Sequence, residues 1–252
     1  MGLFDFFKKD KKEELKVTNI NIDLTKQDLV KKINLSKEQV KISLEKKNVD
    51  KLVAEVQVAV DVSGSMYYNF EEGKVQEALN RLIPISLNFD DDGIVLVYAF
   101  DEEVTEVESL TLDNLLNFSD KKLKRLVGGG TCYSPTLKSV LNKAKNGELK
   151  FPVFMLFITD GDNYDKTETQ KILRELSNYD IYIQFVGIGN DSFNFLKSLD
   201  NLYERKFDNA GFIQFSDLKR FNDNDIYDEL LKEFIDIYKK NTFKTGKISL
   251  KK

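Results

Sequence analysis

VAEVQVAVDVSGS, residues 53–65, decides how this chain is read. Val53 to Val60 is β-branched and largely apolar, the pattern of a strand buried on both faces in the middle of a parallel sheet. The run ends at Asp61, and Asp61, Ser63 and Ser65 then put oxygen-bearing side chains at alternate positions. Gly64 between them allows a tight backbone turn. A strand that stops on a carboxylate and hands over to a hydroxyl loop is a candidate site.

Working outward, Ile94 to Phe100, Phe151 to Ile158 and Ile181 to Val186 repeat the doubly buried strand pattern. Helical periodicity fills the gaps, so the segments alternate as they do in an α/β protein with a mainly parallel central sheet. Phe100 to Leu110 fits a short antiparallel edge strand. Val75, Ala78, Leu79, Leu82 and Ser86 keep one helix face, which Pro84 is expected to kink or break. Ser134 before Pro135 predicts an N-cap, and Asp165 with Glu168 predicts a capping box. Ile226, Leu230, Leu231, Phe234 and Ile237 predict a closing amphipathic helix.

Composition excludes much chemistry. The 252 residues contain no His and one Cys, Cys132. Ser-His and Cys-His nucleophile pairs are therefore impossible, as are imidazole or thiolate zinc sites and an internal disulfide. Lys and Arg total 38 against 42 Asp and Glu, interspersed, so no basic stripe points to nucleic acid. A reducing cytoplasm is the expected compartment. What survives is carboxylate and hydroxyl chemistry, the ligand set of hard cations.

Two further segments supply it. Asp160 ends the apolar run in PVFMLFITDGDN, residues 152–163, and Thr131 follows Gly128-Gly129-Gly130, expected to be a flexible run. In open α/β sheets, sites form at the carboxyl ends of strands near the topological switch. Two carboxylates gathered there repel unless they are protonated, separated by water or bridged by a cation, and a bound dication resolves the conflict. Asp61, Ser63, Ser65, Thr131 and Asp160 are the expected ligands. Their two charges leave a sparse shell, which favours Mg²⁺, with Mn²⁺ or Ca²⁺ as alternatives.

Asp61-Val62-Ser63-Gly64-Ser65, Gly130-Thr131 and Thr159-Asp160-Gly161 together resemble the metal-ion-dependent adhesion site (MIDAS) of von Willebrand factor A (vWA) domains. KVQEALNRLIPISLNFDDDG at 74–93 and IQFVGIGNDSFNFLKSLDNLYERKFDNAGF at 183–212 are similar to the TerF-type branch of tellurium-resistance proteins. The resemblance implies a doubly wound, Rossmann-like vWA fold and membership of a bacterial chemical-stress system. The chain departs from the pattern at Cys132, where Asn is expected, and it lacks Trp. Ile33 to Lys46 also resembles the opening of TerD-type stress proteins, but it is too short for that domain and no calcium site is transferred from it.

The expected organisation is a charged N-terminal extension over 1–50, the vWA domain over 51–240 and a tail over 241–252. The expected function is a metal-dependent protein-binding module and not an enzyme. It would capture an Asp or Glu of a protein partner, with other tellurium-resistance proteins as candidates. Two alternatives stand beside it. One is a Mg²⁺-dependent phosphoryl-transfer enzyme with Asp61 as nucleophile, weakened by Ser63 where a second carboxylate is usual. The other is a scaffold whose metal only stabilises the fold. Cys132 is read as a small loop residue, Asp90-Asp91-Asp92-Gly93 as an acidic turn, and Gly187-Ile188-Gly189 as unrelated to nucleotide binding. Met1 to Phe7 beside its lysines is read as an arm in solvent or on the domain and not as a membrane anchor.

Overall fold

The four doubly buried runs form the middle of a six-stranded sheet ordered β3-β2-β1-β4-β5-β6. This computed structural model describes residues 3–49, 52–89, 93–215 and 222–240, with side chains from Thr25 onward. Its strands are β1 Glu55–Asp61, β2 Leu96–Phe100, β3 Val104–Glu106, β4 Val153–Thr159, β5 Ile181–Ile188 and β6 Ala210–Phe215. All neighbours are parallel except β2 and β3, which pair antiparallel as expected for an edge. Strand β6 was not marked in the sequence, because its pairing with β5 holds a half-buried run of mixed polarity.

Seven helices complete the described chain: α1 Leu3–Lys46, α2 Tyr67–Glu71, α3 Lys74–Phe89, α4 Ser134–Lys145, α5 Lys166–Leu176, α6 Asn194–Asp200 and α7 Asp223–Lys239. Alternation along β4 explains the layering. Phe154, Leu156 and Ile158 join the apolar residues of α1, α3 and α7 on one face of the sheet. Met155 and Phe157 join those of α4, α5 and α6 on the other. No helix among the described residues is long and apolar enough to cross a membrane.

Residues 1–50 were expected only as a charged extension; residues 3–46 are one helix. Ile33, Ser36, Val40, Ser43 and Leu44 are buried at helical spacing, with the three apolar ones in the core shared with α3 and α7. Ser36 Oγ donates to Asp223 at 2.7 Å, Ser43 Oγ to Asp228 at 2.6 Å, and Lys47 pairs with Asp228 at 2.7 Å. The stripe was illegible because two of its positions are serines matched to carboxylates of α7. The arm Met1 to Phe7, the acidic turn at 90–92 and the tail at 241–252 lie outside the described side chains.

Two local expectations change. Helix α3 runs unbroken through Pro84, which is buried. An interior proline costs about 3 kcal/mol, and packing between the sheet and α1 outweighs that. Ser134 is the first helical residue of α4 and not its cap. The cap comes from Asp165, whose carboxylate accepts hydrogen bonds from Ser134 N at 2.7 Å and Tyr133 N at 3.0 Å. Asp165 stands at the N-cap position of its own helix, α5, without capping it, so the expected capping box does not form.

Candidate metal centre

The order of the strands places the switch point between β1 and β4, where the chain, having run outward through β2 and β3, returns to the other side of β1. Asp61 is the last residue of β1 and Asp160 the first after β4. Because Val60 lies opposite Ile158, the register sets Asp61 beside Thr159. The Thr159 hydroxyl donates to Asp61 Oδ2 at 2.6 Å, and Ser63 N donates to Oδ1 at 2.8 Å. Asp61 is fully buried.

Past Asp61 the chain makes a 3-10 turn, Gly64–Met66, that leads into α2. The turn brings the two serine hydroxyls within 3.1 Å of each other. Ser65 Oγ then donates to Asp160 Oδ1 at 2.7 Å, and Asn69 Nδ2 donates to Asp160 Oδ2 at 3.0 Å. Asp61, Ser63, Ser65 and Asp160 are thus one connected group. Asp61 and Ser63 form its buried floor, and Ser65 and the half-buried Asp160 its open edge.

Thr131 joins through its backbone loop. Gly128 N donates to Val62 O at 2.8 Å, and Gly64 N donates to Gly129 O at 3.2 Å. The glycine run expected to be flexible is therefore pinned along the Asp61 loop. Gly129 has φ +66, a left-handed conformation that a side chain would strain. The Thr131 carbonyl accepts from Tyr164 N at 2.9 Å. Its half-buried hydroxyl has no hydrogen-bond partner among the described residues.

Electrostatics sets the chemistry. Burial pushes the Asp61 carboxyl up to about 6, against the hydrogen bonds from Ser63 and Thr159, and the charge of Asp160 adds to the rise. Asp160 is raised by burial too, opposed by Ser65 and Asn69, with Asp191 as a further repelling charge. Every hydrogen-bond partner of these two carboxylates is neutral. A buried carboxylate without a cationic partner is costly. Among the described residues, no three His, Cys, Asp or Glu side chains gather into a ligand cluster. A cation here must therefore use the mixed carboxylate and hydroxyl set, and that set fits a hard oxygen-loving dication.

The supporting roles of four residues escaped the sequence reading. Thr159 and Tyr133 form a chain behind Asp61: the Tyr133 hydroxyl lies 3.3 Å from Thr159 Oγ1 and donates to Gly161 O at 2.5 Å. Burial raises the Tyr133 phenol, so it stays a donor. Strand alternation hints at Thr159, but only the β1–β4 register identifies it. Asn69 follows Ser65 at helical spacing, and Asp165 holds the start of α4 three residues beyond Thr131. Asp162, two residues after Asp160, pairs with Lys166 at 2.5 Å. Burial and the carboxylates of Asp165, Glu102 and Asp101 push the Cys132 thiol up, which disfavours the reactive thiolate.

A family model described as the vWA domain found in the TerF C terminus matches residues 53–245. An uncharacterized protein of Bacillus subtilis (strain 168), YcbR, is 35% identical over 207 residues, covering 80% of this chain and 84% of its own. Among solved structures, the manganese-loaded TRAP protein of Plasmodium vivax aligns with a TM-score of 0.55 and 20% identity over 73% of each chain. The SpRpn10 VWA domain aligns at 0.51 and 12% identity, over 71% of this chain and 95% of its own. Proximal thread matrix protein 1 of the mussel byssus aligns at 0.52 and 18% identity, and this chain spans about half of it, 48%. At such identities the structural likeness is one of fold.

Proposed function

The chain belongs to the vWA-TerF-like family, and from that premise we propose that it is a metal-ion-dependent protein-binding module that captures a carboxylate of a partner. The observation that carries this is Asp61: a fully buried carboxylate, raised to about 6, with neutral donors on both oxygens and a second carboxylate, Asp160, tied to the same loop. Asp61, Ser63, Ser65, Thr131 and Asp160 would hold the ion, with Mg²⁺ preferred over Mn²⁺ or Ca²⁺ for so sparse a shell. The ion would supply a positive centre short of oxygen ligands. The protein's part is to fix the floor through Thr159 and Ser63 and to leave Ser65, Thr131 and Asp160 at the open edge. The manganese named for the Plasmodium relative agrees with a divalent ion here.

We further propose a tellurium or chemical-stress system as its setting, which the TerF-type resemblance implies, and the cytoplasm as its compartment, which the single cysteine favours. The phosphoryl-transfer alternative fares worse. The second carboxylate that such enzymes usually place two residues on is absent, since Ser63 stands there with its hydroxyl 3.1 Å from that of Ser65. A scaffold with a purely structural metal would bind its partner equally well in chelator. The test is a pull-down from the native cell with Mg²⁺ and with chelator, using wild type and Ser65→Ala. A partner retained equally in every condition refutes capture at this site.

A further inference from the structure

The mouth of the site has a composition of its own. Five segments surround it: 61–68, 101–103, 128–134, 160–166 and 189–192. They contain eight carboxylates, Asp61, Asp101, Glu102, Glu103, Asp160, Asp162, Asp165 and Asp191, against two cations, Lys166, which Asp162 already holds, and Lys197, which reaches in from α6 to donate to Ser192 O at 2.7 Å. The exposed Arg125, just before the glycine loop, changes this balance little. Asp101, Glu102, Glu103 and Asp191 have no ion-pair partner among the described residues.

Large aromatic rings stand on the same rim. Tyr164 is 80% exposed, Tyr68 73% and Tyr67 48%. Tyr67 and Tyr68 follow the serine loop directly and meet edge to face, with ring centroids 5.5 Å apart. Tyr164 crosses the glycine loop next to Thr131: a Cβ on Gly130 would lie 2.5 Å from its ring and 2.9 Å from Glu102 Oε1. One backbone position thus has an exposed tyrosine ring and an unpaired carboxylate against it. On the other flank, Asp191 Oδ2 lies 3.2 Å from the Cβ position of Gly161, beside Asp160. Exposed tyrosines are rigid, amphipathic contact surfaces that lose little entropy on binding. Set among unpaired carboxylates, their faces attract cations, guanidinium above all, which stacks on rings and pairs with carboxylates at once.

We propose that this rim selects an arginine-bearing, basic segment of a partner protein, so that the acidic residue entering the site is flanked by cations seated on Tyr164 and Tyr68 and paired with Glu102, Asp101 and Asp191. The proposal rests on the capture reading and adds the partner's chemistry to it. Charge complementarity supports it: a partner acidic throughout would be repelled by the rim even while one of its carboxylates was attracted to the centre.

The test uses the full chain in Mg²⁺ and four synthetic peptides read by fluorescence anisotropy. Three carry a central Asp flanked by Arg, Ser or Glu; the fourth carries a central Asn flanked by Arg. The Arg-flanked Asp peptide should bind about tenfold more tightly than the Ser-flanked one, and the Glu-flanked peptide most weakly. Tyr164→Ala, Tyr68→Ala and Glu102→Gln should each narrow the gap, as should added salt. Tyr164→Ala keeps the backbone N–H that binds Thr131. If the Ser- or Glu-flanked Asp peptide binds as tightly as the Arg-flanked one, or if no peptide binds, rim selection is overturned. If the Arg-flanked Asp and Asn peptides bind equally, with and without chelator, carboxylate capture fails while the rim stands.

Discussion

The carboxylate of Asp165 accepts hydrogen bonds from the backbone of Ser134 at 2.7 Å and of Tyr133 at 3.0 Å, and so caps a helix that begins 31 residues earlier in the chain. The first turn of α4 follows the Thr131 loop, so this one side chain ties the open edge of the site to the start of α5. Asn163 Nδ2 also donates to Asp165, at 2.5 Å.

Asp165→Asn should lower stability by about 1 to 2 kcal/mol, the cost of a lost charged cap. Burial would raise this carboxyl, but the hydrogen bonds from Ser134, Tyr133 and Asn163 prevail and hold it below its ordinary value. A carboxyl depressed in the folded state stabilises above its unfolded pKa, about 3.9, and the gain is lost as pH falls through the lower folded value. Melting temperature followed from pH 6 down to pH 2 should therefore drop further in wild type than in Asp165→Asn. Parallel curves would show that Asp165 is not the cap in solution.

Mg²⁺ or Mn²⁺ should raise the melting temperature of wild type, and Asp61→Ala and Asp160→Ala should each remove the shift. An ion that binds only the folded state adds about 2.7 kcal/mol at a hundred times its Kd. Equal shifts in all three proteins would place the ion elsewhere.

The same shift should depend on pH. Burial raises Asp61 to about 6 in the folded chain, so in chelator its contribution to stability is fully present below its unfolded pKa and is lost as pH rises through about 6. The ion requires the deprotonated carboxylate. Its stabilising effect should therefore grow between pH 5 and 7 in wild type, and calorimetry across that range should detect it. A shift independent of pH would contradict the burial of Asp61.

Val40→Ala and Leu44→Ala should each cost about 2 to 4 kcal/mol, because both side chains are buried in the core shared with α3 and α7. Deleting residues 1–50 should expose that face and leave an aggregating domain. A well-folded, monomeric 51–252 fragment in gel filtration would show that α1 is an appendage.

Gly211→Ala should destabilise by about 1 to 3 kcal/mol. A Cβ there would clash with the Tyr182 hydroxyl and the Glu233 carboxylate, which hydrogen-bond each other at 2.6 Å. Tyr182 is fully buried and cannot swing away. Chemical denaturation measures the loss, and an unchanged midpoint would refute the close approach.

The α/β architecture and five of the six strands were legible in the sequence because they rest on local, periodic signals, and the candidate ligands were named from signals of the same kind. An apolar run buried on both faces needs no knowledge of its neighbours, and alternating oxygens after a strand show wherever the strand sits. The match of residues 53–245 to the vWA-TerF-like family agrees with that reading. Helix α1 was not legible, since Ser36 and Ser43 dilute its buried stripe and their carboxylate partners Asp223 and Asp228 lie some 185 residues away.

What the sequence by itself determined is the family, the sheet and which residue types could hold a hard cation. The tertiary structure decided how they meet: the β1–β4 register that places Thr159 on Asp61, the backbone pairing of Gly64 with Gly129, and the cap that Asp165 gives to α4. The physical reason is range. Periodicity and turn chemistry are properties of neighbouring residues, whereas a buried carboxylate is satisfied by whatever donors the folded chain brings within about 3 Å, and those come from distant segments that no local pattern names.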